Sequence, residues 1–433
     1  MLEIIDGRGQ TAPVHIPRPR PAGPQANPAA TVEAILDDVR LRGDAAVLEY
    51  SERLDGVRLA PDALRVDEAA IAQARRLVRP ELLGALEVAA ERLRSTCERQ
   101  LPHTWLDRTD DELIGELVRP LRRVGVYVPG GAAAYPSSVV MATIPARVAG
   151  VESVAVCSPP GRGGEIAEPV LAACAVLGVG EVYRVGGAQA IAALAYGTET
   201  IRPVDKIVGP GNVFVTMAKR AVAGWVGIDS EAGPTEIAIV ADDSASPDVV
   251  AADLVAQAEH GPLGTHVLIT WSADLAERVI AALDRHVMIH ERAEDVENAL
   301  TEGGSAVLVR DLRHALETVN ALAPEHLELI FPGALDALDS VRNAGSVFVG
   351  AYSPVPVGDY VGGTNHVLPS GGTARWASGL GVSDFVKRIY VSGLEPSALD
   401  RLAPHVDALA EAEGLHAHAR AVHARLDARP PSR

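Results

Sequence analysis

From residue 124 onward the chain alternates short β-rich runs with helical stretches, and this alternation limits the fold more than any other feature. The first series of runs is VGVYV (124–128), SVAVC (153–157), EVYRV (181–185) and DKIVG (205–209). Each gives way to Gly or Pro and then to a helical stretch. Parallel strands need a crossover connection, so this repetition implies a parallel sheet with helices on both faces. A second series follows at EIAIVA (236–241), HVLIT (266–270), SAVLV (305–309), LELIF (327–331) and SVFVG (346–350). Two α/β units in tandem is the economical reading.

The flanks differ in character. Residues 12–30 are proline-rich and read as an extended arm rather than a packed element. VEAILDDVRLRGDAAVLEYSERLDG reads as a helix pair broken at Gly43, and residues 69–99 as one long helix or two. After about residue 381 the chain reads as a helical tail.

Charge excludes some classes of partner. The net charge is −18, and no basic block exceeds short pairs such as Arg122-Arg123. Nucleic acid and anionic membrane surfaces need clustered Lys and Arg, so neither is expected as a partner. There is no run of about 20 apolar residues to span a membrane. The start, MLEIIDGRGQ, lacks the basic-then-apolar pattern of a secretion signal, so a cytoplasmic location is expected. Cys97, Cys157 and Cys174 have neither disulfide nor CxxC spacing, which fits a reducing compartment.

No G-x-G-x-x-G follows a strand. Three strand-to-helix turns are nevertheless glycine-rich: VPGG (128–131), VGGAQA (185–190) and VGPGN (208–212). Such turns turn backbone N–H groups toward an anion. They fall at the carboxyl ends of strands, where open α/β sheets bind ligands, so a nucleotide crevice is expected there with Tyr127, Gln189 and Asn212 as contacts.

The other polar residues are unusual for their surroundings. DLVAQAEHGP (253–262) closes a helix for which Ser246 is the expected N-cap, Pro247 the first residue and Gly261-Pro262 the stop. Helical phase puts Val249, Val250, Leu254 and Ala258 on one broad face, with Gln257 and His260 inside it and Glu259 opposite. The inward pair is either a locally satisfied core pair or a pair of metal or substrate ligands. APEHLELIF (323–331) sets Glu325-His326 before a strand, a general acid/base combination. The loop SPVPVGDYVGGTNHVLPSGG (353–372) carries Asp359, Asn365 and His366, and AEAEGLHAHARA (410–421) carries Glu413, His416 and His418. One Gln, one Asp and several His suit an N/O-ligated Zn²⁺.

At this point whole motifs resemble one family. RRVGVYVPGGAAAYPSSVVMATIPARVAGV (122–151), VGGAQAIAALAYGTETIRPVDKIVGPGNVFV (185–215), VGIDSEAGPTEIAIVADD (226–243), DLVAQAEHGPL, LAPEHLEL and VGDYVGGTNHVLPSGGTAR are similar to histidinol dehydrogenases, and the resemblance covers nearly the whole chain. It implies a zinc-dependent oxidation of L-histidinol to L-histidine through histidinal, with two NAD⁺ reduced. It also implies one Zn²⁺ per subunit, held by Gln257, His260 and Asp359 of one subunit and His418 of the other. Glu325 and His326 are the implied acid/base pair. Tyr127, Gln189 and Asn212 are the implied NAD⁺ contacts. The implied substrate contacts are Thr235, Gln257, His260, His326, Asp359, His366, Glu413 and His418, with Glu413 and His418 donated across subunits. Thr235 stands where many relatives carry Ser, and keeps the hydroxyl.

The implied fold is α/β, with two tandem Rossmann-like parallel-sheet domains lacking the GxGxxG fingerprint. An extended N-terminal arm and a small helical C-terminal domain complete it, in an intertwined homodimer. By segment this gives an arm over 1–24, the helical part of the first α/β domain over 25–123 and a nucleotide-binding domain over 124–235. The remainder of the first domain, carrying the zinc and catalytic residues, spans 236–380, and a tail over 381–433 reaches the partner subunit. The competing readings are a zinc- and NAD-dependent dehydrogenase of another amino alcohol or polyol, and a non-catalytic zinc-binding dimer.

Overall fold

A computed structural model describes residues 2–19, 28–130, 134–230 and 233–428. Its strands, in chain order, are β1 (Glu3–Asp6), β2 (Trp105–Arg108), β3 (Glu112–Pro120), β4 (Arg123–Tyr127), β5 (Ser153–Ser158), β6 (Val182–Arg184) and β7 (Lys206–Val208). They continue with β8 (Gly227–Ile228), β9 (Glu236–Ala241), β10 (Thr265–Thr270), β11 (Gly304–Leu308), β12 (His326–Ile330), β13 (Ser346–Val349) and β14 (Val386–Leu394). The described residues form two compact units, one from 1–100 and 121–385, the other from 101–120 and 386–433.

The first unit contains two parallel sheets. One has the order β6-β5-β4-β7-β8. Every residue of β4 is buried, as expected of a strand covered on both faces. On one face Val32, Ile35, Leu36 and Val39 of the Ala29–Arg42 helix pack with Ile191 and Leu194 of the Gly187–Tyr196 helix. Elsewhere on this sheet the Pro136–Ala149 helix packs on Pro80–Arg99, and Glu168–Val176 on Glu68–Leu77. The strand order runs outward from β4 through β5 to β6, then resumes with β7 on the other side of β4. That reversal opens a crevice at the carboxyl ends of β4 and β7.

The second sheet has the order β1-β11-β10-β9-β12-β13 and is parallel throughout. Its two faces bury separate apolar clusters. Ile237, Ile239 and Ile330 lie in one, and Ala238, Leu327 and Leu329 in the other, as strand alternation requires. The second unit is an antiparallel sheet, β14-β3-β2, with the helices Pro396–Ala412 and His416–Asp427 packed on each other.

All nine runs read from the sequence form strands, with ends shifted by no more than two residues. Gly43, with φ 57°, separates Ala29–Arg42 from Asp44–Tyr50, and residues 69–99 divide into two helices at Pro80. Several expectations need correction. The segment after 381 is not purely helical, because β14 precedes its helices; VKRIYVSGL is nowhere buried, so no core pattern marks it. The segment 25–123 does not complete the second sheet. Its helices cover the five-stranded sheet, and residues 105–120 contribute β2 and β3 to the second unit. The N-terminal arm is packed where it is described: β1 pairs with β11, and Val14 and Ile16 are buried. Residues 20–27 of the proline-rich stretch lie outside the described residues. No described helix is long and apolar enough to cross a membrane.

Gly209, directly after β7, has φ 114°, and a Cβ there would press on the Tyr127 carbonyl oxygen well inside contact distance. Both the backbone conformation and the close approach demand glycine. Gly209→Ala is expected to destabilise the fold by about 2 kcal/mol or more. A thermal melt checks this, and an unchanged midpoint contradicts it.

Candidate active site

The crevice between β4 and β7 holds a cavity of about 690 Å³ whose wall includes Tyr127, Gln189 and Asn212. Tyr127 ends β4, and its hydroxyl accepts a hydrogen bond from Gly187 N at 3.2 Å, which fixes the glycine-rich turn after β6. Burial pushes this phenol up to about 12, so it stays protonated. Gln189 is fully buried, and neither amide atom has a hydrogen-bond partner among the described residues. A buried amide left unpaired in a cavity wall is a group waiting for a ligand. Asn212 caps the Val213–Val222 helix, its Oδ1 accepting from Phe214 N and Val215 N, which leaves its NH₂ for a ligand.

The loop that carries Asn212 is anchored from below. Lys219 and Asp229 form an ion pair with both side chains 3% exposed. Lys219 Nζ also donates to Gly209 O at 2.9 Å, and Asp229 Oδ2 accepts from Gly209 N at 2.7 Å. The sequence reading missed three further residues of the cavity wall, Arg53, Asp55 and Arg162. The arginines supply positive charge suited to phosphate. Burial lifts the Asp55 carboxyl to about 6. No motif marks them, because Arg53 and Asp55 sit in a single π-helical turn and Arg162 in an irregular loop.

A second cluster gathers at the amino ends of β9 and β12. Ala323, the one described non-glycine residue with positive φ (51°), ends the Leu312–Leu322 helix and turns the chain into Pro324-Glu325-His326. Strained backbone is tolerated where its surroundings over-determine it, commonly at sites. β12 pairs with β9 so that His326 lies opposite Ile237. Glu325 and His326 thereby share the peptide groups of Glu236. Glu325 Oε2 accepts from Glu236 N at 2.9 Å and from Thr235 Oγ1 at 2.8 Å. His326 Nδ1 donates to Glu236 O at 3.0 Å, which assigns the proton to Nδ1 and leaves Nε2 as the reactive nitrogen. Nε2 is buried without a hydrogen-bond partner among the described residues, 3.7 Å from Asp359 Oδ1.

The charges of this cluster are coupled. Burial opposes charge on His326, but Glu325, with Oε2 3.6 Å away, and Asp359 outweigh it and raise the imidazole to about 9. Burial raises the Glu325 carboxyl above the usual range, against the pull of His326. Burial holds His366 below its ordinary value, and its Nδ1 donates to Asp359 O at 2.8 Å. The thiols take no part: all three cysteines are buried, and burial lifts Cys97 to about 11 and Cys174 to about 12.

Gln257 is buried at the last turn of the Pro247–Ala258 helix. Its Nε2 is engaged by Thr235 Oγ1 and stands 3.4 Å from His326 Nδ1, so its carbonyl oxygen is the atom left to ligate. The helix stops at Ala258, two residues short of the end that Gly261-Pro262 predicts. His260 lies beyond the end, exposed, in the turn at Gly261 (φ 129°). Val249 is also exposed rather than inward, and the Ser246 hydroxyl makes no capping bond although Ser246 occupies the cap position. Asp359, in the Val355–Tyr360 helix, acts on His260 through its charge.

The first unit therefore brings together Thr235, Gln257, Glu325, His326, Asp359 and His366, with His260 nearby. Glu413 and His418 belong to the second unit: Glu413 ends the Pro396–Ala412 helix, and His418 is exposed on His416–Asp427, a helix with no buried residue. Among the described residues no three His, Cys, Asp or Glu converge on a metal position. Gln257, His260 and Asp359 contribute an amide oxygen, an imidazole and a carboxylate. That donor set suits a borderline divalent ion and leaves coordination positions open.

The model of the histidinol dehydrogenase family matches residues 19–426. The histidinol dehydrogenase of Rhizobium meliloti (strain 1021) is 49% identical over 401 residues, 92% of each chain. That of Geobacillus kaustophilus (strain HTA426) is 48% identical over 394 residues, covering 91% of this chain and 92% of the relative. The crystal structure of histidinol dehydrogenase from Elizabethkingia anophelis superposes with a TM-score of 0.90 at 34% identity, covering 94% of each chain.

The His326 setting makes a direct prediction for metal-free protein. Its imidazole pKa, read by NMR, lies near 9, above the ordinary 6.5. Stability from this charged cluster is therefore complete below pH 6.5 and fades as pH rises through 9. Glu325→Gln lowers the His326 pKa by about one unit or more. A wild-type value at or below 6.5 contradicts the charge assignment.

Proposed function

The chain belongs to the histidinol dehydrogenase family, and on that premise we propose that it oxidises L-histidinol to L-histidine through L-histidinal, reducing two NAD⁺. The observation that carries this reading is His326, whose unpaired, buried Nε2 faces Asp359 while Nδ1 is fixed by Glu236. An imidazole so oriented can take a proton from an alcohol at Nε2. The high pKa of its metal-free state depends in part on Asp359, so any cation neutralising that carboxylate lowers the cost of freeing Nε2.

Gln257, His260 and Asp359, with His418 of the partner subunit, would hold Zn²⁺. When bound, that ion supplies a positioning centre for the imidazole and amine of the substrate. His326 removes the hydroxyl proton as the carbinol carbon loses its hydride, for which NAD⁺ is the acceptor in the crevice lined by Tyr127, Gln189 and Asn212. For the aldehyde, Glu325 draws a proton from water as its oxygen adds to the carbonyl carbon, and His326 returns its proton to the carbonyl oxygen. The resulting hydrate then gives its hydride to a second NAD⁺ while His326 takes the hydroxyl proton. Thr235 serves both sides of the cluster, donating to Glu325 and accepting from Gln257, besides its expected contact with substrate. His366 steadies the Asp359 backbone, and Glu413 of the partner subunit completes the substrate shell in the proposed homodimer.

With Zn²⁺, excess NAD⁺ and limiting L-histidinol, the protein should form about two NADH per histidinol, and a chelator should abolish the reaction. Glu325→Gln should cut turnover about 10²–10⁴-fold while zinc remains bound. No NADH from histidinol by zinc-loaded protein contradicts the reading. Turnover of a different amino alcohol or polyol under the same conditions would support a related dehydrogenase instead.

A further inference from the structure

One pair of acids, Glu328 fully buried and Asp253 partly, takes no part in the chemistry above. Glu328 lies two residues beyond His326 on β12, on the same face of the sheet, and is 1% exposed. It stands opposite Ile239 of β9 and Phe348 of β13, on the face whose apolar cluster contains Leu254, Ile330 and Val355. Its Oε1 accepts a hydrogen bond from Val355 N at 3.0 Å. Val355 opens the helix that carries Asp359 one turn later. Its Oε2 is buried with no donor among the described residues. The carboxyl of Asp253 stands within hydrogen-bonding reach, on the helix that carries Gln257 one turn further on.

Two carboxyl groups in contact, one of them fully buried, cannot both ionise cheaply, and a hydrogen bond between them needs a proton. We propose that Glu328 is a positioning residue that shares one proton with Asp253 and, by gripping Val355 N as well, holds the helices of Gln257 and Asp359 in register with His326. The proposal rests on reading Gln257 and Asp359 as zinc ligands. Burial, and next the Asp253 charge, lift Glu328 to about 8, and burial lifts Asp253 to about 6. The groups facing Glu328 are Asp253 from one helix, the Val355 N–H from the other, and His326 from its own strand, whose positive charge acts in the opposite sense.

The test is Zn²⁺ affinity of the full-length protein, measured by competition with a chelating dye, with thermal melts on the same samples. Glu328→Gln retains an oxygen for Val355 N and offers an N–H to Asp253, so its affinity should stay within about threefold of wild type. Glu328→Leu fills the same space without either bond. Its melting point should hold or rise, because an apolar side chain replaces a buried acid. Its zinc affinity should fall about 10–100-fold, the usual cost of losing support behind metal ligands. Unchanged affinity in Glu328→Leu overturns the positioning role, and a tenfold loss in Glu328→Gln overturns the shared proton. If Glu328→Leu does not fold, Glu328→Gln decides alone by the same threshold. Wild-type protein that fails to bind Zn²⁺ would instead overturn the zinc reading on which the proposal stands.

Discussion

The parallel pairing of β9 with β12 is the constraint on which the candidate active site depends. Because His326 lies opposite Ile237, the peptide of Glu236 presents its N–H to Glu325 and its carbonyl to His326. A slip of one residue would turn His326 to the other face of the sheet, where Ala238 and Val240 of β9 are buried. Thr235, immediately before β9, closes the arrangement through its hydroxyl. The Pro247–Ala258 helix runs back along the sheet after β9, so its last turn delivers Gln257 to the same end. The reacting groups thus gather at the amino ends of these strands, whereas the nucleotide crevice uses the carboxyl ends of the other sheet. The loop holding His366 is tied toward that other sheet by Asn365 Nδ2, which donates to Met141 O at 2.7 Å.

Buried charge is handled differently at each place it occurs. Lys219 and Asp229 neutralise each other and both bond the Gly209 peptide, with Lys219 also donating to Ser230 O, so that pair fixes a loop. Glu325, His326 and Asp359 carry more negative than positive charge, which favours a cation among them and holds the imidazole protonated in its absence. Glu328 and Asp253 lack an ion-pair partner of their own; His326 acts on Glu328 only through its charge, and in the proposed arrangement the two acids share a proton. A single face of β12 therefore carries the acid/base histidine and, two residues on, the acid proposed to support it.

Much of this was legible in the sequence where periodicity and burial agree. Nine of the eleven strands of the two parallel sheets are β-rich runs legible in the sequence, and those runs formed; β1 and β8 are short and carry no such run. Gln257 stood out because helical phase turns it inward from an apolar helix, and it is buried. Tyr127, Gln189 and Asn212 follow from the glycine-rich turns, and all three line one cavity. What escaped lacks a local signal. β14 is exposed along its length, so nothing in VKRIYVSGL separates strand from tail. The position of His260 outside its helix depends on where the last turn frays, which Gly261 alone does not reveal. Arg53, Asp55 and Arg162 reach the nucleotide cavity only through tertiary packing. The zinc set, and the partner's share in it, came from resemblance to a family rather than from spacing, since its members lie on separate elements.

The most direct test of the central claim is anomalous diffraction at the zinc absorption edge, from crystals grown with Zn²⁺ and L-histidinol. The account predicts one peak per subunit, about 2.0–2.2 Å from Gln257 Oε1, an imidazole nitrogen of His260 and the Asp359 carboxylate. His418 of a second copy should complete the set, with the substrate beside His326 Nε2. A zinc peak away from Gln257 and Asp359, or histidinol bound elsewhere, would contradict it.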